Sequence, residues 1–88
     1  MQTFIIYALP FGVKPIHIEK NGDDYFLVSD IKKKFLEKLI EIKKEFENLN
    51  IDKLCLIYMG TQCKDDDSIN TYCNYNKEIL MNMYLKNN

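Results

Sequence analysis

The apolar residues Ile31, Phe35, Leu39, Ile42 and Phe46 follow one another at spacings of four, four, three and four. That is the repeat of one face of an α-helix and not the repeat of a strand. Leu36 and Ile40 widen the stripe, while Lys and Glu fill the opposite face. Ser29 and Asp30 precede the run and suit an N-cap, and Asn48-Leu49-Asn50 closes it. The spacing predicts one long helix over about 30–48, which must lay its apolar stripe on a second layer.

On either side of this helix the period is two. Thr3 to Ala8 is rich in β-branched and aromatic residues and reads as a strand. Pro10-Phe11-Gly12 marks a turn, and Ile16-His17-Ile18-Glu19-Lys20 alternates as a half-buried strand does. Pro15 cannot donate to a ladder, so it belongs at the first residue of that strand or on an edge. Asn21-Gly22-Asp23-Asp24 ends the hairpin. After the helix, Leu54 to Met59 is a third strand, with Leu54, Leu56 and Tyr58 on one face and Cys55 and Ile57 on the other. Gly60 permits a sharp turn, Lys64 to Ser68 is a polar loop, and Asn70 to Tyr75 is irregular. Met81-Asn82-Met83-Tyr84-Leu85 closes the chain as a strand, with Met81, Met83 and Leu85 turned inward.

The expected class is α+β, a mixed sheet of four to five strands packed on one helix, in a single domain over residues 1–88. The expected core is Phe4, Ile6, Ile16, Ile18, Ile31, Phe35, Leu39, Leu54, Leu56, Met81, Met83 and Leu85. In the first strand Ile5 and Ile6 are both apolar, so the pattern leaves its register open.

Charge and composition narrow the function. The formal net charge is -1, and all 12 basic residues are lysines. The chain lacks the basic footprint of a nucleic-acid binder and the guanidinium fork that reads guanine or clamps phosphate. Abundant Lys, Asn and Ile without Arg reads as the codon usage of an AT-rich genome. No apolar run approaches the length of a membrane span, and the first residues carry no basic region of a signal peptide. Cys55, Cys63 and Cys73 are an odd set without a C-x-x-C pair, which points to reduced thiols in the cytoplasm or nucleus.

Catalytic and metal chemistry find little purchase. His17, the single histidine, alternates with Ile16 and Ile18 and should face solvent. With the three cysteines it could supply four zinc ligands on paper, but none are paired at zinc-site spacing. A calcium loop starting at Asp67 would put Ile69 at its third position and Tyr72 where glycine is required. The run Asp65-Asp66-Asp67 therefore reads as a solvated loop. Gly12, Gly22 and Gly60 are isolated and form no phosphate cradle. No enzyme, cofactor or metal site is expected.

The segment Leu56-Ile57-Tyr58-Met59-Gly60-Thr61-Gln62-Cys63-Lys64-Asp65-Asp66, followed by Ser68-Ile69 and Tyr72, resembles the ubiquitin-like family. The opening Met1-Gln2-Thr3-Phe4 is similar to that family's start. Asn74-Tyr75-Asn76-Lys77-Glu78 with Met81, Met83 and Leu85 resembles its last loop and strand. The resemblance implies a β-grasp fold, with a helix about two turns longer than usual in the family. It places Ile57 at the exposed isoleucine of the family's binding face, Tyr84 at an apolar neighbour on the last strand, and Leu9 or Phe11 at the first-turn leucine. Cys63 takes the place of a core leucine, and Tyr72 that of a loop tyrosine bonded to backbone.

The departures also carry meaning. Asn82 stands where the family's face has a histidine, Cys55 and Thr61 replace flanking basic residues, and only Lys86 remains of these. Lys77 matches one chain-linking lysine, while Thr61 stands at another. The sequence closes Leu85-Lys86-Asn87-Asn88 in place of the terminal Gly-Gly. The resemblance thus implies a non-conjugated, monomeric interaction domain that docks on ubiquitin-pathway or proteasome receptors through Leu9 or Phe11, Ile57 and Tyr84. One alternative is a covalent modifier whose Gly-Gly lies beyond residue 88. Another is a scaffold or splicing-associated domain that binds through its long helix.

Overall fold

A computed structural model describes residues 1–73 and 77–86. Asn74, Tyr75 and Asn76 of the tail resemblance and the closing Asn87-Asn88 lie outside the described residues. Five strands form one sheet: β1 (Gln2–Tyr7), β2 (Ile16–Lys20), β3 (Leu54–Tyr58), β4 (Thr61–Gln62) and β5 (Glu78–Leu85), in the order β2-β1-β5-β3-β4. β1 and β5 run parallel at the centre, and the remaining pairs are antiparallel. One helix, α1 (Val28–Ile42), covers one face. The architecture is the expected α+β arrangement of β-grasp type.

The alternation along each strand sets which side chains meet the helix. In β1, Phe4 and Ile6 turn to the core and Ile5 to the other face, which settles the register that the sequence left open. In β2, Ile16 and Ile18 are buried, and Pro15 stands immediately before the strand, where its missing N–H interrupts no ladder. From β5 come Ile79, Met81 and Met83, and from α1 Val28, Ile31, Phe35 and Leu39. Leu85 differs from the expectation and is exposed. β1 ends at Tyr7, opposite Asn82, so the last residues of β5 have a sheet neighbour only on the β3 side.

The helix also departs from its sequence reading at both ends. It begins at Val28, and Asp30 is not the cap but a first-turn residue. The Asp30 carboxylate accepts from the Leu27 backbone N–H at 2.9 Å, where a negative charge also complements the helix dipole. The exposed donors of the first turn are satisfied from outside: Val28 N–H donates to Asp67 O at 2.9 Å and Ser29 N–H to Asp65 O at 3.2 Å. At the other end α1 stops at Ile42 and not near residue 48, because Lys43 is extended at φ -137° and ψ 101°. The chain resumes as a 3-10 turn, Lys44–Phe46, which folds Phe46 back edge-on to Phe11 with ring centroids 5.5 Å apart. Phe11 also meets Phe35 edge-on at 5.4 Å.

Short turns close the rest. β3 and β4 are joined by Met59-Gly60, both with positive φ (50° and 79°), the backbone that a two-residue hairpin demands. The loop after β4 is less solvated than its acidic run suggests. Lys32 on α1 is buried and its Nζ lies 2.5 Å from Asp65 Oδ1. Tyr72 O–H donates to Asp67 Oδ2 at 2.6 Å while accepting from Lys64 N–H at 2.9 Å. Of the three, Asp66 is exposed, and Asp65 and Asp67 are half-buried. The bond that Tyr72 donates to the Asp67 carboxylate raises its phenol above the ordinary value, against the lowering effect of the Lys64 N–H.

Candidate protein-binding face

The face of the sheet opposite α1 is built by strand register. Residues directly paired across neighbouring strands share a face. Moving along the strands, one row reads Glu19, Thr3, Glu78, and the next reads His17, Ile5, Leu80. The third reads Tyr7, Asn82, Ile57, Gln62, and the fourth Tyr84, Cys55. The last three rows contain no acidic residue and no lysine. Leu80 is 54% exposed, Tyr7 and Tyr84 are exposed, and Ile5, Cys55 and Ile57 are half-buried.

The structure brings together three of the four residues expected at a binding site. Ile57 is paired with Asn82, and Tyr84 sits two residues further along β5, a diagonal neighbour at about 7–8 Å. Leu9, on the 3-10 turn Leu9–Phe11 after β1, is 87% exposed and lines a groove with Tyr84. Phe11 does not belong to the face. It is 2% exposed and sits in the core between Phe35 and Phe46, so Leu9 is the turn residue left for contact. Gly12, at φ 70°, returns its N–H to Leu9 O at 3.0 Å and holds the two in opposite environments.

Tyr7, Ile5 and Leu80 were not singled out in the sequence. The signal was present in the alternation Leu80, Asn82, Tyr84, but starting the last strand at Met81 concealed its first outward apolar residue. No protein-family model matches the chain, and no curated protein does either.

The histidine and the cysteines lie in different surroundings. His17 is exposed on the outer face, as expected. Cys63 and Cys73 are buried in the core and Cys55 is half-buried; all three are free thiols. Burial pushes the Cys63 thiol from 9.0 up to about 11, with a smaller contribution from Cys73. Burial likewise pushes Cys73 up to about 11, against the opposing pull of Lys20. Thiols so perturbed are poor nucleophiles. Unfolding returns them to ordinary values, so the unfolded chain ionises first as pH rises. Their contribution to stability is complete below about pH 9 and is lost towards about pH 11. The urea midpoint should fall over this interval more steeply in the native chain than in Cys63→Ala/Cys73→Ala. Parallel pH profiles would refute burial of both thiols. Among the described residues, no helix is long and apolar enough to cross a membrane.

Proposed function

We propose that the chain is a ubiquitin-like interaction domain that docks non-covalently on receptors of the ubiquitin pathway or the proteasome, in the cytoplasm or nucleus. The observation that carries the reading is the uncovered outer face of the sheet, where Ile5, Tyr7, Leu80, Ile57 and Tyr84 adjoin without an intervening charged residue. Scattered apolar residues are ordinary on a surface, but a contiguous patch on a sheet calls for a partner. Tyrosine, with a large rigid area and a polar tip, suits such an interface. The free thiols agree with a reducing compartment.

The test is titration of the purified chain against a purified proteasomal ubiquitin receptor. Ile57→Asp places a carboxylate at the centre of the patch that a receptor would cover and is expected to weaken binding at least about tenfold, or about 1.4 kcal/mol. Unaltered affinity would remove this face from the reading. Capture from cell extract under native and denaturing washes addresses the covalent alternative: partners that survive denaturation are attached covalently.

A further inference from the structure

β2 is the outermost strand on its side of the sheet, and among the described residues no strand lies beyond it. Thr3 N–H donates to Lys77 O at 2.8 Å, so the backbone groups of Thr3 and Ile5 face β5 and those of Phe4 and Ile6 face β2. Ile18 and Ile16, the partners of Phe4 and Ile6, face back to β1. The N–H and C=O groups of His17 and Glu19 therefore point outward from the sheet edge, and both residues are exposed. An edge of this kind is a template for a further strand. The opposite edge of the sheet offers only the two-residue β4, whereas β2 runs for five residues.

We propose that this edge pairs with β2 of a second copy of the chain, antiparallel about a two-fold axis through Ile18. In that register His17 stands opposite Glu19 of the second copy, and Glu19 opposite the second copy's His17. Each such pair exchanges both backbone N–H···O=C bonds, so the outward groups of both residues are satisfied. Their side chains lie on the outer face, where an imidazole that can donate meets a carboxylate. Neighbouring registers are poorer. Moving the two-fold to Glu19 sets carboxylate against carboxylate. Moving it to His17 sets Glu19 against Pro15, which has no N–H to return. A slip by one residue sets outward backbone groups opposite inward ones. The strand thus complements itself, as a two-fold interface requires. α1 flanks the edge with Lys34, Glu37 and Lys38, so a second copy meets both signs of charge there. Such pairing departs from the monomer that the family resemblance implies. One strand edge buries little area, so the expected dimer is weak, with a Kd of about 50–500 µM. Ile57 and Tyr84 stay uncovered, because β1 separates β2 from β5 and β3 lies further away still. Self-pairing and receptor docking are therefore independent of each other.

The test is sedimentation equilibrium of the purified chain from about 10 µM to about 2 mM, with amide hydrogen exchange at both ends of that range. A dimer should form over this interval, and exchange of the His17 and Glu19 amides should slow at least about threefold as it does. His17→Glu sets two carboxylates opposite each other in both symmetric pairs and should weaken the dimer about tenfold. Adding Glu19→His to the same chain restores the opposition with the two residues exchanged. That double variant should return to within about threefold of the native affinity. Both positions are exposed, so the urea midpoint should hold throughout the series. A monomer up to about 2 mM, a dimer whose His17 and Glu19 amides exchange as in the monomer, or a double variant no better than His17→Glu would each overturn the proposal. So would a dimer kept in His17→Glu but lost in Ile57→Asp, which would associate through the outer face. Failure of self-pairing leaves the receptor reading standing, and unaltered receptor affinity in Ile57→Asp leaves the edge pairing standing.

Discussion

Replacing Asp65 by alanine is expected to destabilise the fold by about 2–3 kcal/mol, read as a lower urea midpoint at unchanged slope. The reason is Lys32, not Asp65. The Lys32 side chain is 1% exposed, and its ammonium reaches the Asp65 carboxylate at 2.5 Å. Removing the carboxylate leaves a buried ammonium uncompensated, which costs about 3–5 kcal/mol when both partners are fully buried. Asp65 is partly exposed and water can enter, which places the expectation below that range. The backbone oxygen of residue 65 still caps the Ser29 N–H in the variant, so the measurement isolates the carboxylate. Lys32→Met removes the charge together with its need for a partner and is expected within about 1 kcal/mol of the native chain. A domain of this size is stable by roughly 5–10 kcal/mol, so the two variants are easily separated. Equal effects from both would show that the pair contributes through packing and not through charge.

That pair was invisible in the sequence for a physical reason. A lysine at position 32 fits the polar face of a helix as well as a covered one. Only the loop that wraps the start of α1 decides the matter, and loops carry no periodicity. The same limit explains the acidic run, which looked solvated but gives Asp65 to Lys32 and Asp67 to Tyr72. Where a period existed, the fold was readable: the stripe Ile31, Phe35, Leu39 and the alternations in β1, β2 and β3 placed the helix and its sheet. The period misled twice, at Leu85, which the β5 alternation turned inward but which is exposed, and at the end of α1. Ile42 and Phe46 continue the helical spacing, yet Ile42 is exposed and Phe46 reaches the core through a 3-10 turn. The two-residue β4 was too short to leave a pattern. For the outer face, the register placed Ile57 and Tyr84 on one surface, but the turn residues Leu9 and Phe11 were separable only by the structure.

Those two residues should now behave in opposite ways. Phe11→Ala is expected to destabilise the chain by about 3–5 kcal/mol, the range for deleting a buried aromatic ring from a packed core. Its ring is edge-on to both Phe35 and Phe46, so the cavity would also deprive those rings of their aromatic neighbour. The loss could consume much of the stability of so small a domain. Leu9→Ala, two positions away on an exposed turn, should leave stability within about 0.5 kcal/mol. It removes an exposed side chain beside Tyr84, so its effect should appear in receptor binding. Urea unfolding of both variants, with receptor titration of Leu9→Ala, distinguishes a core residue from a contact residue at adjacent sites. A stable Phe11→Ala would mean that the ring does not hold the 3-10 turn to the core. An unstable Leu9→Ala would mean that the turn is fixed by its exposed side and not by Phe11.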